Sequence, residues 1–168
     1  LAYASRALIE LKLVKKVLII DCDVHQGDGT ARILANDKNI FTCSIHCAEN
    51  YPAKKAKSDL DMPIPTGAGD EQYLALLSQC LSKIDHTNFT PNLVIYDAAV
   101  DVHSKDKLGL LKMTSEGSEA RDRYVWSHFK KRQIPIATTI GGGYGETSKE
   151  VANRHRIIFK VVKSIFKE

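Results

Sequence analysis

The chain has 168 residues, 43% of them hydrophobic and 26% charged, with a formal net charge of +4. Those proportions are ordinary for a folded domain and exclude disordered, collagen-like and coiled-coil chains. The lysines and arginines are scattered rather than gathered, which argues against a nucleic-acid surface, and no apolar run approaches the roughly 18–20 residues that cross a bilayer.

Ala2 to Leu13 carries Ala4, Leu8 and Leu11 at helical spacing. Val17 to Asp21 is a continuous apolar, β-branched run, as expected of a strand buried on both faces. Gly27 and Gly29 mark a loop, and Thr30 to Leu34 reads as a short helix. Ile40 to His46 is a second strand. Tyr51 to Gly69, with Pro52, Pro63, Pro65, Gly67 and Gly69, reads as one long loop. Asp70 to Ile84 is an amphipathic helix with Tyr73, Leu77, Leu81 and Ile84 on one face. Asn92 to Tyr96 is a third strand. Thr114 or Ser115 caps a helix running to about Arg132, with Glu116 near its positive end. Ile134 to Ile140 is a fourth strand, followed by Gly141-Gly142-Gly143 and a helix from Ser148 to Phe166 whose inner face would be Val151, His155, Ile158, Val162 and Ile165.

Strands alternating with helices predict an α/β fold, a parallel sheet with helices on both faces. No repeat, low-complexity stretch or linker divides the chain. The four cysteines, Cys22, Cys43, Cys47 and Cys80, form no Cys-x-x-Cys pair. No secretion signal is visible either, so reduced thiols and a cytoplasmic location are expected. Cys43, His46 and Cys47 match no structural zinc spacing.

In an open α/β sheet, chemistry gathers at the carboxyl ends of the strands. The first predicted strand runs into Asp21-Cys22-Asp23-Val24-His25, the second into Ser44-Ile45-His46, the third into Asp97 and Asp101, and the fourth into the three glycines and Tyr144. Two aspartates at a buried strand end need compensating charge. With His25 two residues on, a divalent cation supplies it, and this donor set suits zinc or a similar first-row metal. A catalytic zinc wants a third protein ligand. Asp101 is the best candidate, with Asp97 and Asp106 as competitors. Asp106, between Lys105 and Lys107, reads as solvated, and His103 is a neighbour of the site. Gly142 and Gly143 would let a substrate approach the backbone closely. A phenol at Tyr144 could donate to a developing oxyanion. Asp28, read for itself, is a helix N-cap.

Together these residues resemble the histone deacetylase family, the zinc-dependent arginase-deacetylase fold. Positions 21–30 are similar to its metal motif, and Ser44-Ile45-His46 to the next strand end. Ser58-Asp59-Leu60-Asp61 with the following prolines and glycines resembles the bacterial, class IV-like branch. Val100-Asp101-Val102-His103-Ser104 with Leu108-Gly109 resembles the third-ligand segment, and Gly141-Gly142-Gly143-Tyr144 the tyrosine loop. The resemblance implies that Asp23, His25 and Asp101 ligate Zn2+, with Fe2+ as the alternative. It implies that Tyr144 polarises the substrate carbonyl and that Asp28 joins the hydrogen-bonded shell of the catalytic histidines. It also implies a K+ site formed by Asp21, Asp23, His25, Ser44 and Ile45. The substrate would be an acylated lysine or a small acylated amine. Gln26 stands where many eukaryotic relatives carry a second histidine, and bacterial members often have Gln there. The family's general base sits in an adjacent histidine pair upstream of the metal motif, and this sequence has no His-His pair. Residues 1–168 are therefore expected to be the carboxyl-terminal half of the catalytic domain, with an amino-terminal half as partner. The competing reading is an inactive remnant that binds metal or a partner chain.

Overall fold

The computed structural model describes residues 1–167. Its elements are α1 (Ala2–Glu10), β1 (Val17–Asp21), α2 (Asp28–Leu34), β2 (Ile40–Cys47), β3 (Leu60–Ile64), α3 (Asp70–Asp85), β4 (Leu93–Asp97), α4 (Ser115–Lys130), β5 (Ile136–Thr139) and α5 (Ser148–Ile165). The strands form one sheet in the order β3-β2-β1-β4-β5, and every pairing is parallel. β1 lies at the centre with all five residues buried. Its side chains alternate: Leu18 and Ile20 join the core under α3, α4 and α5, while Val17 and Ile19 join a smaller cluster with Ala2 and Leu34 of α1 and α2. The helices therefore cover both faces, as the alternating pattern predicted, and the fold is an open parallel α/β sheet.

The register matters for function. It sets Asp61, Ser44, Asp21, Asp97 and Thr139 opposite one another in a single row across all five strands. The preceding row, Leu60, Cys43, Ile20, Tyr96 and Thr138, is mostly apolar. The boundary between core and chemistry thus falls between two adjacent rows of the sheet.

The fifth strand corrects the sequence reading. β3 lies inside the stretch expected to be loop, and it carries Pro63 opposite His46. A proline has no N–H to donate and is tolerated here because β3 is an edge. Other boundaries move for local reasons. α1 stops at Glu10 rather than Leu13, and Lys12 takes φ 58°. α2 begins at Asp28, so Gly27 is its N-cap and Asp28 the first helical residue. Thr114 caps α4 by accepting from the Gly117 N–H. The predicted face of α3 is buried as expected, but α5 is rotated from the expected stripe. Arg154, Ile158, Val161 and Ile165 are buried, while Val151, His155 and Val162 are only partly covered. The guanidinium of Arg154 turns inward to hold loop carbonyls, and Val161 replaces Val162 on the packed side.

Candidate metal centre

The segment leaving β1 organises itself. The Asp21 carboxylate accepts the Asp23 N–H at 3.0 Å, and the Asp23 carboxylate accepts the His25 N–H at 2.8 Å. Each aspartate thereby fixes the residue two places on, the local bond that aspartate side chains favour at turns. The segment after β4 meets it: Asp101, 2% exposed, accepts the Val24 N–H at 2.9 Å. His25 Nδ1 then lies 3.0 Å from Asp23 Oδ1 and 3.3 Å from Asp101 Oδ2. One donor atom from each of Asp23, His25 and Asp101 can be chosen so that all lie within 4.8 Å of one another, and among the described residues this is the one such cluster of three metal-ligating side chains.

The electrostatics are those of a site short of positive charge. Hydrogen bonds that His25 donates to Asp101 and Asp23 raise it to about 10, against a desolvation that works the other way. Burial, with the nearby Asp23 charge, raises Asp101 to about 6. Burial, then the charges of Asp23 and Asp101, does the same to Asp97. Asp21 is pushed well up by burial and by Asp97 beside it. Burial also opposes ionisation of Asp23, but its bonds from His25 outweigh this and hold it below the usual carboxylate range. With His25 protonated, its Nδ1–H stands between the two carboxylates, 3.0 Å from Asp23 Oδ1 and 3.3 Å from Asp101 Oδ2. A divalent cation would displace that proton, as metal binding to such ligands does. Two carboxylate oxygens and one imidazole nitrogen, converging from two loops, fit zinc or ferrous iron.

Glycines bring the fourth strand's loop to the same place. Gly142 has φ 53°, and a Cβ on it would lie 2.5 Å from Asp101 Cγ and 2.7 Å from Asp23 Oδ2. Its backbone therefore lies against the cluster. Gly143, at φ 120°, faces away, towards Val100, Val151 and His155. Tyr144 is 57% exposed and lines a shallow groove with Thr147, Ser148, Val151 and His155. The other expected positions are spread around the centre. Asp21 and Ser44 are neighbours in register, and Ser44 Oγ is 3.0 Å from His46 Nδ1. Ile45 is fully buried. Asp28 pairs with Arg32 at 3.3 Å on the surface of α2. His103 is turned to Ser115 Oγ at 3.2 Å.

Residues 1–159 match the sequence profile described as the histone deacetylase domain. The chain belongs to the histone deacetylase family. It is 40% identical over 166 residues to an uncharacterised protein of Picosynechococcus, an alignment covering 99% of this chain and 55% of that protein. It is 33% identical over 141 residues to histone deacetylase 2 of Arabidopsis thaliana, covering 82% and 36%. Among solved structures, the acetylpolyamine aminohydrolase from Burkholderia pseudomallei superposes with a TM-score of 0.78 at 20% identity, over 95% of this chain and 48% of that one. The HDA15 HD domain superposes with a TM-score of 0.76 at 24% identity, over 95% and 49%. The deacetylase fold is thus shared, while the chain spans about half the length, or less, of the relatives it matches.

Within that deacetylase framework, several groups that the sequence reading passed over hold the centre in place. Arg121, completely buried in α4, sits 2.9 Å from Asp122 and donates to the Ala99 carbonyl at 2.8 Å, on the path from β4 to Asp101. Tyr96 donates to the same Asp122 at 2.6 Å. Asn50, 3.5 Å from His25 Nε2, donates to the Leu108 carbonyl and accepts the Leu110 N–H. Asp106 is a correction. Its side chain is fully buried rather than solvated, and it accepts N–H groups from Leu108, Gly109 and Tyr144. The helical period could have disclosed Arg121 and Asp122, which fall on the same face as Ser118, Val125 and Phe129. Nothing local marks Asn50 or Asp106, whose partners are set by folding.

Proposed function

We propose that these residues form the metal-bearing part of a deacetylase active site that hydrolyses the amide of an acylated lysine or a small acylated amine. The single observation that carries this reading is the convergence of Asp23, His25 and Asp101 within 4.8 Å. It is supported by the names of the relatives, which include histone deacetylases and an acetylpolyamine aminohydrolase. The ion held there is zinc, with ferrous iron as the alternative. When bound it would acidify a water and polarise the acyl oxygen. The protein's own parts are simple. Gly142 leaves room for the acyl group to approach. The Tyr144 phenol donates to the oxygen as it becomes an oxyanion, the kind of preorganised donor worth several kcal/mol in acyl transfer. Asp28 belongs to the hydrogen-bonded shell of the family's base. Asp21, with the Ser44 hydroxyl and the carbonyls of Asp23, His25 and Ile45, takes K+, which offsets the burial of the Asp21 carboxylate. We assign the chain to the cytoplasm. No helix among the described residues is long and apolar enough to cross a membrane.

A specific observation favours a second part to this reading. A water attacking an acyl carbon needs a proton acceptor. Four of the other histidines are hydrogen-bonded elsewhere: His46 to Ser44, His86 to the Ser82 carbonyl, His103 to Ser115 and His128 to Asp85. The fifth, His155, has a buried Nδ1 without a partner but lies against Gly143, on the side that faces away from the metal cluster. We therefore assign the base to a histidine pair outside these residues, and expect the 168-residue chain to bind Zn2+ without turning over. The test is a fluorogenic acetyl-lysine peptide and an acetylated polyamine, each incubated with zinc and either this chain or a longer gene product carrying the pair. Turnover only with the latter, lost on Asp101→Ala, is expected. Failure of this chain to take up Zn2+ would overturn the metal reading, and turnover by this chain alone would overturn the assignment of the base.

A further inference from the structure

We propose that Asp106 and Arg154 form a buried clamp that positions Tyr144 relative to Asp101. The proposal rests on the reading of Tyr144 as the phenol that meets the substrate. Tyr144 needs such a device. It follows two glycines in left-handed conformations and is itself 57% exposed, so neither its packing nor its preceding backbone fixes where its ring points. Both polar groups of its backbone are nevertheless held. The Asp106 carboxylate accepts the Tyr144 N–H at 2.6 Å, and Arg154 Nη1 donates to the Tyr144 carbonyl at 3.1 Å. The two clamping side chains come from different elements and approach within 3.9 Å of each other, with 6% and 0% of their surfaces exposed.

The clamp is tied to the metal cluster from the other side. Arg154 Nη2 donates to the Lys105 carbonyl at 3.1 Å, and the second Asp106 oxygen accepts the N–H groups of Leu108 and Gly109, both at 2.9 Å. This turn is pressed onto Asp101, because a Cβ on Gly109 would collide with the Asp101 carbonyl oxygen. The rigid unit thus runs from a metal-ligating residue, through the 105–109 turn and the ion pair, to the backbone of the tyrosine. A buried ion pair is a poor choice if stability is the only requirement, since an apolar pair of equal volume does as well or better. Here the hydrogen bonds of the two charges go to the backbones of the two loops whose spacing decides where the phenol stands.

The variant that separates the roles is Asp106→Asn. It keeps the shape and one acceptor oxygen for the turn, but replaces the oxygen facing the Tyr144 N–H with an amide nitrogen, which donates and cannot accept that N–H. The intact protein is labelled with 3-fluorotyrosine, and the Tyr144 resonance is identified by its loss in Tyr144→Phe. We expect that resonance to broaden or split in Asp106→Asn, with Zn2+ affinity within about twofold of the original because the hydrogen bonds among Asp23, His25 and Asp101 are untouched. In the longer gene product that carries the histidine pair, turnover should fall on the order of 10²-fold in kcat, as misplacement of a reacting group by about 1 Å does, with KM nearly constant. Arg154→Lys, which keeps the charge but loses the fork, should show the same changes to a smaller degree, and it carries the test if Asp106→Asn fails to fold. An unchanged Tyr144 resonance in the folded variants overturns the clamp. A changed resonance in a longer gene product that carries the histidine pair and never deacetylates sustains the clamp and overturns the reaction assigned above.

Discussion

Adding one methyl group at Gly142 probes the assembled centre most directly. In Gly142→Ala the new Cβ would stand 2.5 Å from Asp101 Cγ and 2.7 Å from Asp23 Oδ2, where ordinary carbon contacts are about 3.5–4 Å. Something must move by roughly 1 Å. Asp101 is 2% exposed and already bonded to the Val24 N–H, so the glycine loop and the carboxylates share the shift. The backbone adds its own strain, because φ is 53° there and a left-handed conformation costs an L-residue about 1–2 kcal/mol. For a domain of this size that lowers the melting temperature by roughly 2–8 °C. Loss of a group that orients metal ligands typically costs about 10–100-fold in metal affinity. The assay is competition for Zn2+ against a chromophoric chelator, with melting followed on the same samples. Gly29→Ala is the control, since nothing lies within 4 Å of a Cβ there and the position is helical. It should leave zinc affinity unchanged and gain up to about 1 kcal/mol of stability. Should Gly142→Ala bind Zn2+ as tightly as the unaltered chain, the glycine loop does not abut the ligands, and the geometry argued above is wrong.

Asp101→Asn should cost more than the 10–100-fold of a supporting residue, because it removes a ligand, and isothermal titration with Zn2+ reads this directly. Zinc at about 100 times its dissociation constant should stabilise the unaltered chain by about 2.7 kcal/mol, a rise in melting temperature of roughly 5–11 °C that a chelator reverses. All four cysteines are buried, and burial pushes the Cys22 thiol up to about 12. An aromatic disulfide reagent should therefore find no rapidly reacting thiol in the native chain and four in denaturant, whereas a fast native reaction would contradict the packing of β1 and β2. β5 is an edge strand followed by Ile140, 59% exposed, and an uncovered edge invites association. The 168-residue chain made alone should show a mass that rises with concentration in light scattering, and a monodisperse monomer would refute this.

Much of the fold was legible because the strongest signals are local. β1 is apolar at every position but its last, so its burial on both faces could be read without knowing its neighbours, and the α3 stripe at Tyr73, Leu77, Leu81 and Ile84 is buried as its spacing required. β3 was hidden for the opposite reason. Its sequence, Leu-Asp-Met-Pro-Ile, alternates weakly and contains the residue that argues most against a strand, and only the place at the sheet edge makes that proline harmless. The α5 face was misplaced because Arg154 looks like a solvent residue until its inward bonds are seen. At the centre, Asp23 and His25 were readable from the run of turn-forming aspartates. The choice of Asp101 over Asp97 and Asp106 depended on where the chain turns after β4, and Arg121 makes that turn from 22 residues away.

The row Asp61, Ser44, Asp21, Asp97 and Thr139 sets how much negative charge is gathered at this end of the sheet. Parallel register leaves no freedom: once Val17 pairs with Ile40 and Leu93, Asp21 must stand beside Ser44 and Asp97. Asp23 and Asp101 then crowd the same end, while Arg121, whose charge reaches Asp97, is already paired with Asp122. Among the described residues, His25 is the one ion-pair partner of these four aspartates, and it reaches Asp23 and Asp101. Burial raises Asp21, Asp97 and Asp101, which means that folding alone leaves their ionised forms under-compensated. Such clustering is costly in a sheet whose only task is to be stable. Cations between the carboxylates, as proposed above, would offset that cost. Local energetics that disagree with the rest of a well-packed fold are the mark of a functional site, and here the disagreement has the sign that metal binding corrects.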